Sequence, residues 1–187
     1  MELANPAPGR LELVRAFINT LDLEQGFESF KTPEDLSAWL VQHDLLLPAE
    51  RVQMRDLELA IELRESLRHL AHANTGDVEP EPALAQLDDC CRDLHLHLRV
   101  SVGGSERPLS LEPDEPGVRG ALGKLLVVAF EAMFDGTWWR LKVCGNETCQ
   151  WAFYDLSRNR SGRWCDMSSC GNVVKVRNYR RRAAVAT

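Results

Sequence analysis

The sequence predicts a mainly α-helical body with a small antiparallel sheet (an α+β body), followed by a small C-terminal treble-clef-like module built on four cysteines. Three observations predict it. Apolar residues recur at helical spacing through most of the chain before the cysteines. One stretch, Leu94 to Val100, instead alternates apolar and polar residues with a period of two. Beyond it, Cys144-x4-Cys149 and Cys165-x4-Cys170 make two identical clips separated by fifteen residues. A chain of 187 residues suits one domain with a small appendage. The expected division is a body over 1–137 and a finger over 138–187.

The elements follow in order. Leu11, Val14, Phe17, Ile18 and Leu21 give a first amphipathic helix after a Pro/Gly leader. Thr32-Pro33-Glu34-Asp35 offers an N-cap hydroxyl, a proline at N1 and an acid at N3, and so opens a helix carrying Leu36, Trp39 and Leu40. A long helix is expected from about Glu50 to Ala73, with Leu57, Ala60, Ile61, Leu63, Leu67 and Leu70 on its apolar face. Pro80 and Pro82 precede another helix through Leu84 and Leu87. Leu94, Leu96, Leu98 and Val100 predict a half-buried strand, Gly103-Gly104 a turn and Leu109-Ser-Leu111 its partner. Gly117 to Phe134 reads as a strongly apolar, central helix, and Trp138 to Val143 as an extended lead into the first clip.

The cysteine pattern carries chemistry. Structural zinc is tetrahedral and takes four thiolates at ~2.3 Å, and two clips supply two ligands each. Cys144, Cys149, Cys165 and Cys170 are therefore the expected ligands of one structural Zn2+. Reduced buried thiols, disulfides and an iron–sulfur cluster are alternatives that use the same residues. A catalytic zinc would need an open coordination position, which an all-cysteine shell lacks. Between the clips, Trp151 to Tyr154 suits a strand, Ser157 to Gly162 a turn and Arg163-Trp164 the return. Trp151, Phe153, Tyr154 and Trp164 would form a miniature core.

Charge is unevenly spread. The net charge is -6, yet residues 140–182 hold ten basic side chains against three acids, a net +7 that leaves -13 for the rest. Four thiolates and one zinc lower the module to about +5. A helix beginning near Cys170-Gly171-Asn172 would carry Lys175, Arg177, Arg180, Arg181 and Arg182, and the preceding turn adds Arg158, Arg160 and Arg163. Such a cluster fits phosphate contacts. DNA is the expected partner. An RNA stacking on the finger's aromatics and an acidic protein, or the acidic body itself, are the alternatives, and a homodimer is a further candidate assembly.

These residues resemble a known pattern. Cys-x4-Cys-x-Trp-x-Phe-Tyr-Asp-x-Ser-Arg-Asn, followed by Arg-Trp-Cys-x-Met-x2-Cys-Gly-Asn-x2-Lys-x-Arg-x-Tyr-Arg-x-Arg, resembles the CGNR-type zinc finger of bacteria over about Leu141 to Arg182. Phe17-Ile-Asn-Thr-Leu21, Asp35-Leu-Ser-Ala-Trp-Leu40 and Leu63-Arg-Glu65 are similar to the ABATE domain that precedes this finger. The resemblance implies a stress-associated bacterial transcription regulator, with zinc on the four cysteines and DNA-contacting residues at Lys175, Arg177, Arg180 and Arg182. It also implies a sensory or ligand-binding body, for which Asn19 and Arg64 are the candidate ligand-binding residues. The arginine of the Cys-Gly-Asn-Arg motif is Val173 here, which removes one cation from the start of the helix.

Other features are weaker. Cys90-Cys91 are adjacent and read as ordinary half-buried cysteines. His69 with His72, and His95 with His97, read as surface histidines. Arg64 suits a buried ion pair with Glu65 or another acid. No phosphate loop or nucleophile elbow occurs, so no enzymatic activity is expected. The first residues lack the pattern of a secretory signal, and the longest strongly apolar run, Leu125 to Phe130, is far short of the ~20 residues a membrane span needs. No membrane partner is expected, and the location expected is cytoplasmic.

Overall fold

The computed structural model describes residues 6–76, 79, 81–100 and 109–185. Six helices and three two-stranded antiparallel ladders occur among them. They are α1 (Leu11–Ile18), β1 (Leu21–Asp22), β2 (Phe27–Glu28), α2 (Pro33–Gln42), α3 (Met54–Ala73), α4 (Glu81–Leu94), β3 (Leu96–Val100), β4 (Leu109–Pro113), α5 (Gly117–Asp135), β5 (Leu141–Val143), β6 (Ala152–Tyr154) and α6 (Asn172–Val185). The expected mainly helical body with small antiparallel sheets and a C-terminal four-cysteine finger is what the chain forms.

Local chemistry explains where elements begin and end. Thr32 caps α2 as its sequence predicts: its hydroxyl accepts from the Asp35 amide at 3.3 Å, and the Asp35 carboxylate accepts from the Thr32 amide at 2.9 Å. α5 stops at Gly136, whose φ of 81° is the left-handed conformation glycine adopts without penalty. α3 starts at Met54 rather than near Glu50, behind a capping box made by Gln53 and Asp56.

α1, α2, α3 and α5 bury their apolar faces in one core through Val14, Phe17, Leu36, Leu40, Leu63, Leu67, Leu122 and Leu125. That core does not end with the body. Leu141 and Val143 of β5, and Ala152 and Tyr154 of β6, belong to it as well. The β5–β6 ladder pairs Leu141 with Tyr154 and Val143 with Ala152. The finger's hairpin is thus built into the body's core.

Four local expectations are corrected. Trp138–Arg140 is a 3-10 turn, and only Leu141–Val143 is extended. The finger's hairpin closes around the first clip, with β5 leading into Cys144 and β6 following Cys149, because Cys144 donates its amide to the Trp151 carbonyl at 2.9 Å. Arg163-Trp164 forms no return strand; its one ladder-like bond is from the Gly145 amide to the Arg163 carbonyl at 2.9 Å. Leu94 ends α4 in the core, whereas Leu98 and Val100 of the predicted half-buried strand are exposed. Only the start of that face is covered: the paired Leu96 and Pro113 lie against Gly123 of α5. Pro80 and the Gly103-Gly104 turn lie outside the described residues.

Candidate metal centre and nucleic-acid interface

The two clips converge. The ligand atoms of Cys144, Cys149, Cys165 and Cys170 all lie within 4.8 Å of one another. Cys149 and Cys165 sulfurs are 3.7 Å apart, as are those of Cys165 and Cys170. A tetrahedron with ~2.3 Å metal–sulfur bonds has edges of about 3.8 Å, whereas a disulfide would need ~2.05 Å. Three of the sulfurs' residues are buried and Cys165 is half-buried, with Trp151 and Trp164 packed against the cluster. Among the described residues this is the only group of metal-capable side chains so assembled.

The surroundings favour a thiolate at Cys144. Hydrogen bonds from Cys149 and Cys165 and from the backbone amides of Cys165 and Asn146 push Cys144 down to about 2, against the opposing effect of burial. The same crowding pushes Cys149 and Cys165 up, because each faces an already ionised neighbour. Four sulfurs this close cannot all ionise without a cation among them, and a divalent metal supplies it. The buried Asn146 amide donates to the Cys170 sulfur at 3.6 Å, orienting a ligand from outside the coordination shell. Asp166 caps the π-helical turn Met167–Gly171 that presents Cys170, accepting from the Ser169 amide at 2.9 Å. With all four positions taken by cysteine, the site has no opening for substrate.

The finger is held on the body by side chains that satisfy its backbone. The Asn19 amide accepts from the Ala152 N–H at 2.8 Å and donates to the Ala152 carbonyl at 2.9 Å, imitating a neighbouring strand on β6. Arg68, itself buried, donates to the Gln150 carbonyl at 2.9 Å, next to the ligand Cys149. Asn74 donates to the carbonyls of Trp138 and Leu141, each at 2.9 Å. Replacing Asn19 with alanine would strand the Ala152 N–H and leave its carbonyl only the long 3.4 Å bond from Arg15. The expected cost is about 1–3 kcal/mol, checked by thermal unfolding and by faster hydrogen exchange at the Ala152 amide.

Arg64 lies inside a salt-bridge chain. It binds Glu28 through two nitrogens at 2.7 Å each, Glu65 through Nε at 2.8 Å and the Thr20 hydroxyl at 3.2 Å. Glu65 in turn accepts from Arg68 at 3.1 Å. Burial opposes the Arg64 charge, but Glu28 and Glu65 outweigh it and hold its pKa up. Asn19, by contrast, borders a cleft of about 420 Å³ together with Glu12, Arg15, His43 and Trp151. Cys90 is buried, and that burial, reinforced by nearby acids, pushes its thiol up to about 11, so it stays protonated at neutral pH.

The basic residues of the finger are on its surface. Arg158, Arg160, Arg163, Lys175, Arg177, Arg180, Arg181 and Arg182 are all exposed. Arg163 stacks over Trp164 at 5.9 Å. Lys175, Arg177, Arg180, Arg181 and Arg182 make no salt bridge to any acid among the described residues. Lys142 behaves differently. It is buried against Asp155 at 2.9 Å and donates to the Arg160 and Gly162 carbonyls at 2.5 and 3.1 Å. Gly162 passes so close that a Cβ would sit 2.7 Å from the Asp155 carboxyl carbon. Lys142, Asp155, Asn146, Arg68 and Asn74 were not marked by their spacing. Only the lone lysine between apolar Leu141 and Val143 gave a signal.

A family model described as CGNR zinc finger matches residues 140–183. A second, ABATE, described as "Putative stress-induced transcription regulator", matches residues 11–135. A search of curated proteins gave no match. No helix among the described residues is long and apolar enough to cross a membrane. The chain belongs to the ABATE family, and its C-terminal part is a CGNR zinc finger whose four clustered cysteines hold a structural zinc ion.

Proposed function

We propose that the protein is a non-catalytic transcription regulator that binds duplex DNA through α6 and the Arg158–Arg163 loop of its finger. One observation carries this: the five cations of α6 are exposed and none is neutralised by a described acid of the protein's own strongly acidic body. Like charges on one helix repel unless an external anion compensates them. Membership of a transcription-regulator family supports the same role. The zinc ion supplies folding energy here, and no step of chemistry is assigned to it. RNA stacking is disfavoured because Phe153 and Tyr154, two of the finger's aromatics, are buried. Docking of α6 on this protein's own body is disfavoured by the unpaired cations. The cytoplasm is the compartment such a role requires.

Salt dependence tests the proposal. Five phosphate contacts give a slope of log affinity against log salt of about -4.5. Replacing Arg177, Arg181 and Arg182 together with alanine should reduce the slope to about -2, with the zinc content unchanged. Fluorescence anisotropy on a random-sequence duplex measures both. A salt-independent affinity, or none at low salt, overturns the proposal.

A further inference from the structure

The cations of α6 are not spread at random around the helix. Val174 and Asn178 are half-buried and mark the side turned to the finger. At 3.6 residues per turn, the opposite, outward line runs through Val173, Val176, Tyr179, Arg180 and Ala183. Arg177 falls on one flank of that line and Lys175 on the other, with Arg182 and Arg181 set further back towards the finger side. Val173 and Val176 are each about half exposed, at 50% and 49%, and lie in a shallow depression bordered by Asn172, Arg177 and Arg180. The pair therefore puts apolar surface in the middle of a cationic face.

We infer that α6 enters the DNA major groove with Val173 and Val176 against thymine C5-methyl groups, so that these two valines set sequence preference. The inference rests on the duplex-binding proposal above and deepens it. A 14-residue helix is about 21 Å long, and the major groove, ~12 Å wide, admits an α-helix. With the outward line on the groove floor, the two flanks meet the two phosphate backbones that wall it. The flanking cations supply affinity without sequence information. The floor is then read by what remains. Apolar side chains recognise the methyl of thymine, the one apolar group in the major-groove pattern of base edges.

The test uses the full zinc-loaded chain. Preferred duplexes are selected from a random pool at low salt, and the best is remade with deoxyuridine in place of each thymidine, which removes only the methyl groups. Affinity should fall about fourfold for each contacted methyl. The Val173→Ala/Val176→Ala variant should bind the thymidine duplex correspondingly more weakly and no longer distinguish it from the deoxyuridine duplex. Both positions are exposed, so zinc content and melting temperature should not change. Equal binding of the two duplexes by the unaltered protein, or continued discrimination by the variant, overturns the inference while leaving duplex binding intact. Failure to bind any duplex overturns both.

Discussion

Removing zinc with a chelator, or replacing Cys165 with alanine, will unfold the finger and lower the melting temperature of the body with it. The first effect follows from the ligand set. Structural zinc binding contributes about 10–16 kcal/mol of apparent folding free energy in finger peptides at neutral pH. Without the ion, the crowding raises the pKa of Cys149 and Cys165, so these two keep their protons, and the four sulfurs lose their common partner. The second effect follows from the shared core. Leu141, Val143, Ala152 and Tyr154 are core residues of the body and belong to the hairpin that the first clip closes. Unfolding that hairpin exposes them, and it also strands Asn19, Arg68 and Asn74, whose partners are its backbone carbonyls. Metal analysis with circular dichroism and thermal melts of the full chain will show one coupled loss. A body whose melting temperature ignores chelation would mean that the finger is merely tethered.

That coupling was not visible in the amino-acid pattern, whereas the metal site was. Cysteine spacing is a local property, and a tetrahedral ion imposes the same distances on any chain that binds it. Helix boundaries were legible for a related reason. The Thr32–Asp35 capping box and the apolar run of α5 each depend on neighbours in sequence. The misjudged parts depend on partners far along the chain. The alternation at Leu96–Val100 gives a strand correctly, but how much of its apolar face is covered depends on how far the ladder runs along α5. Asn19 was a candidate ligand-binding residue only through the family resemblance. What its amide meets is the edge of β6, 133 residues later. Arg68 and Lys142 carry no local signal of their partners, which are backbone carbonyls of the finger far along the chain or across its loop.

Removing the Lys142 ammonium will be nearly as damaging, although it touches no metal ligand. Lys142 and Asp155 form a pair with side chains 4% and 3% exposed, and each has further partners. Asp155 also accepts from the amides of Ser157 at 2.9 Å and Gly162 at 2.8 Å. Burial alone would raise the pKa of this carboxyl, but hydrogen bonds from Ser157, Lys142 and Gly162 outweigh that and hold it down at about 2. A depressed carboxylate stabilises the fold above its unfolded value, and the contribution is lost as pH falls from about 4 towards 2. Lys142→Ala leaves Asp155 as an uncompensated buried charge, at an expected cost of about 3–5 kcal/mol. Replacing both partners with apolar residues of similar volume should cost much less than twice that, because no charge is left behind. The pair also has a functional reach. It ties down the loop from Ser157 to Gly162, which carries the exposed Arg158 and Arg160. A stability loss in Lys142→Ala should therefore come with a shallower salt dependence of DNA binding, by about one to two units of slope. Measured at a temperature where the variant remains folded and zinc-loaded, an unchanged slope would confine Lys142 to stability alone.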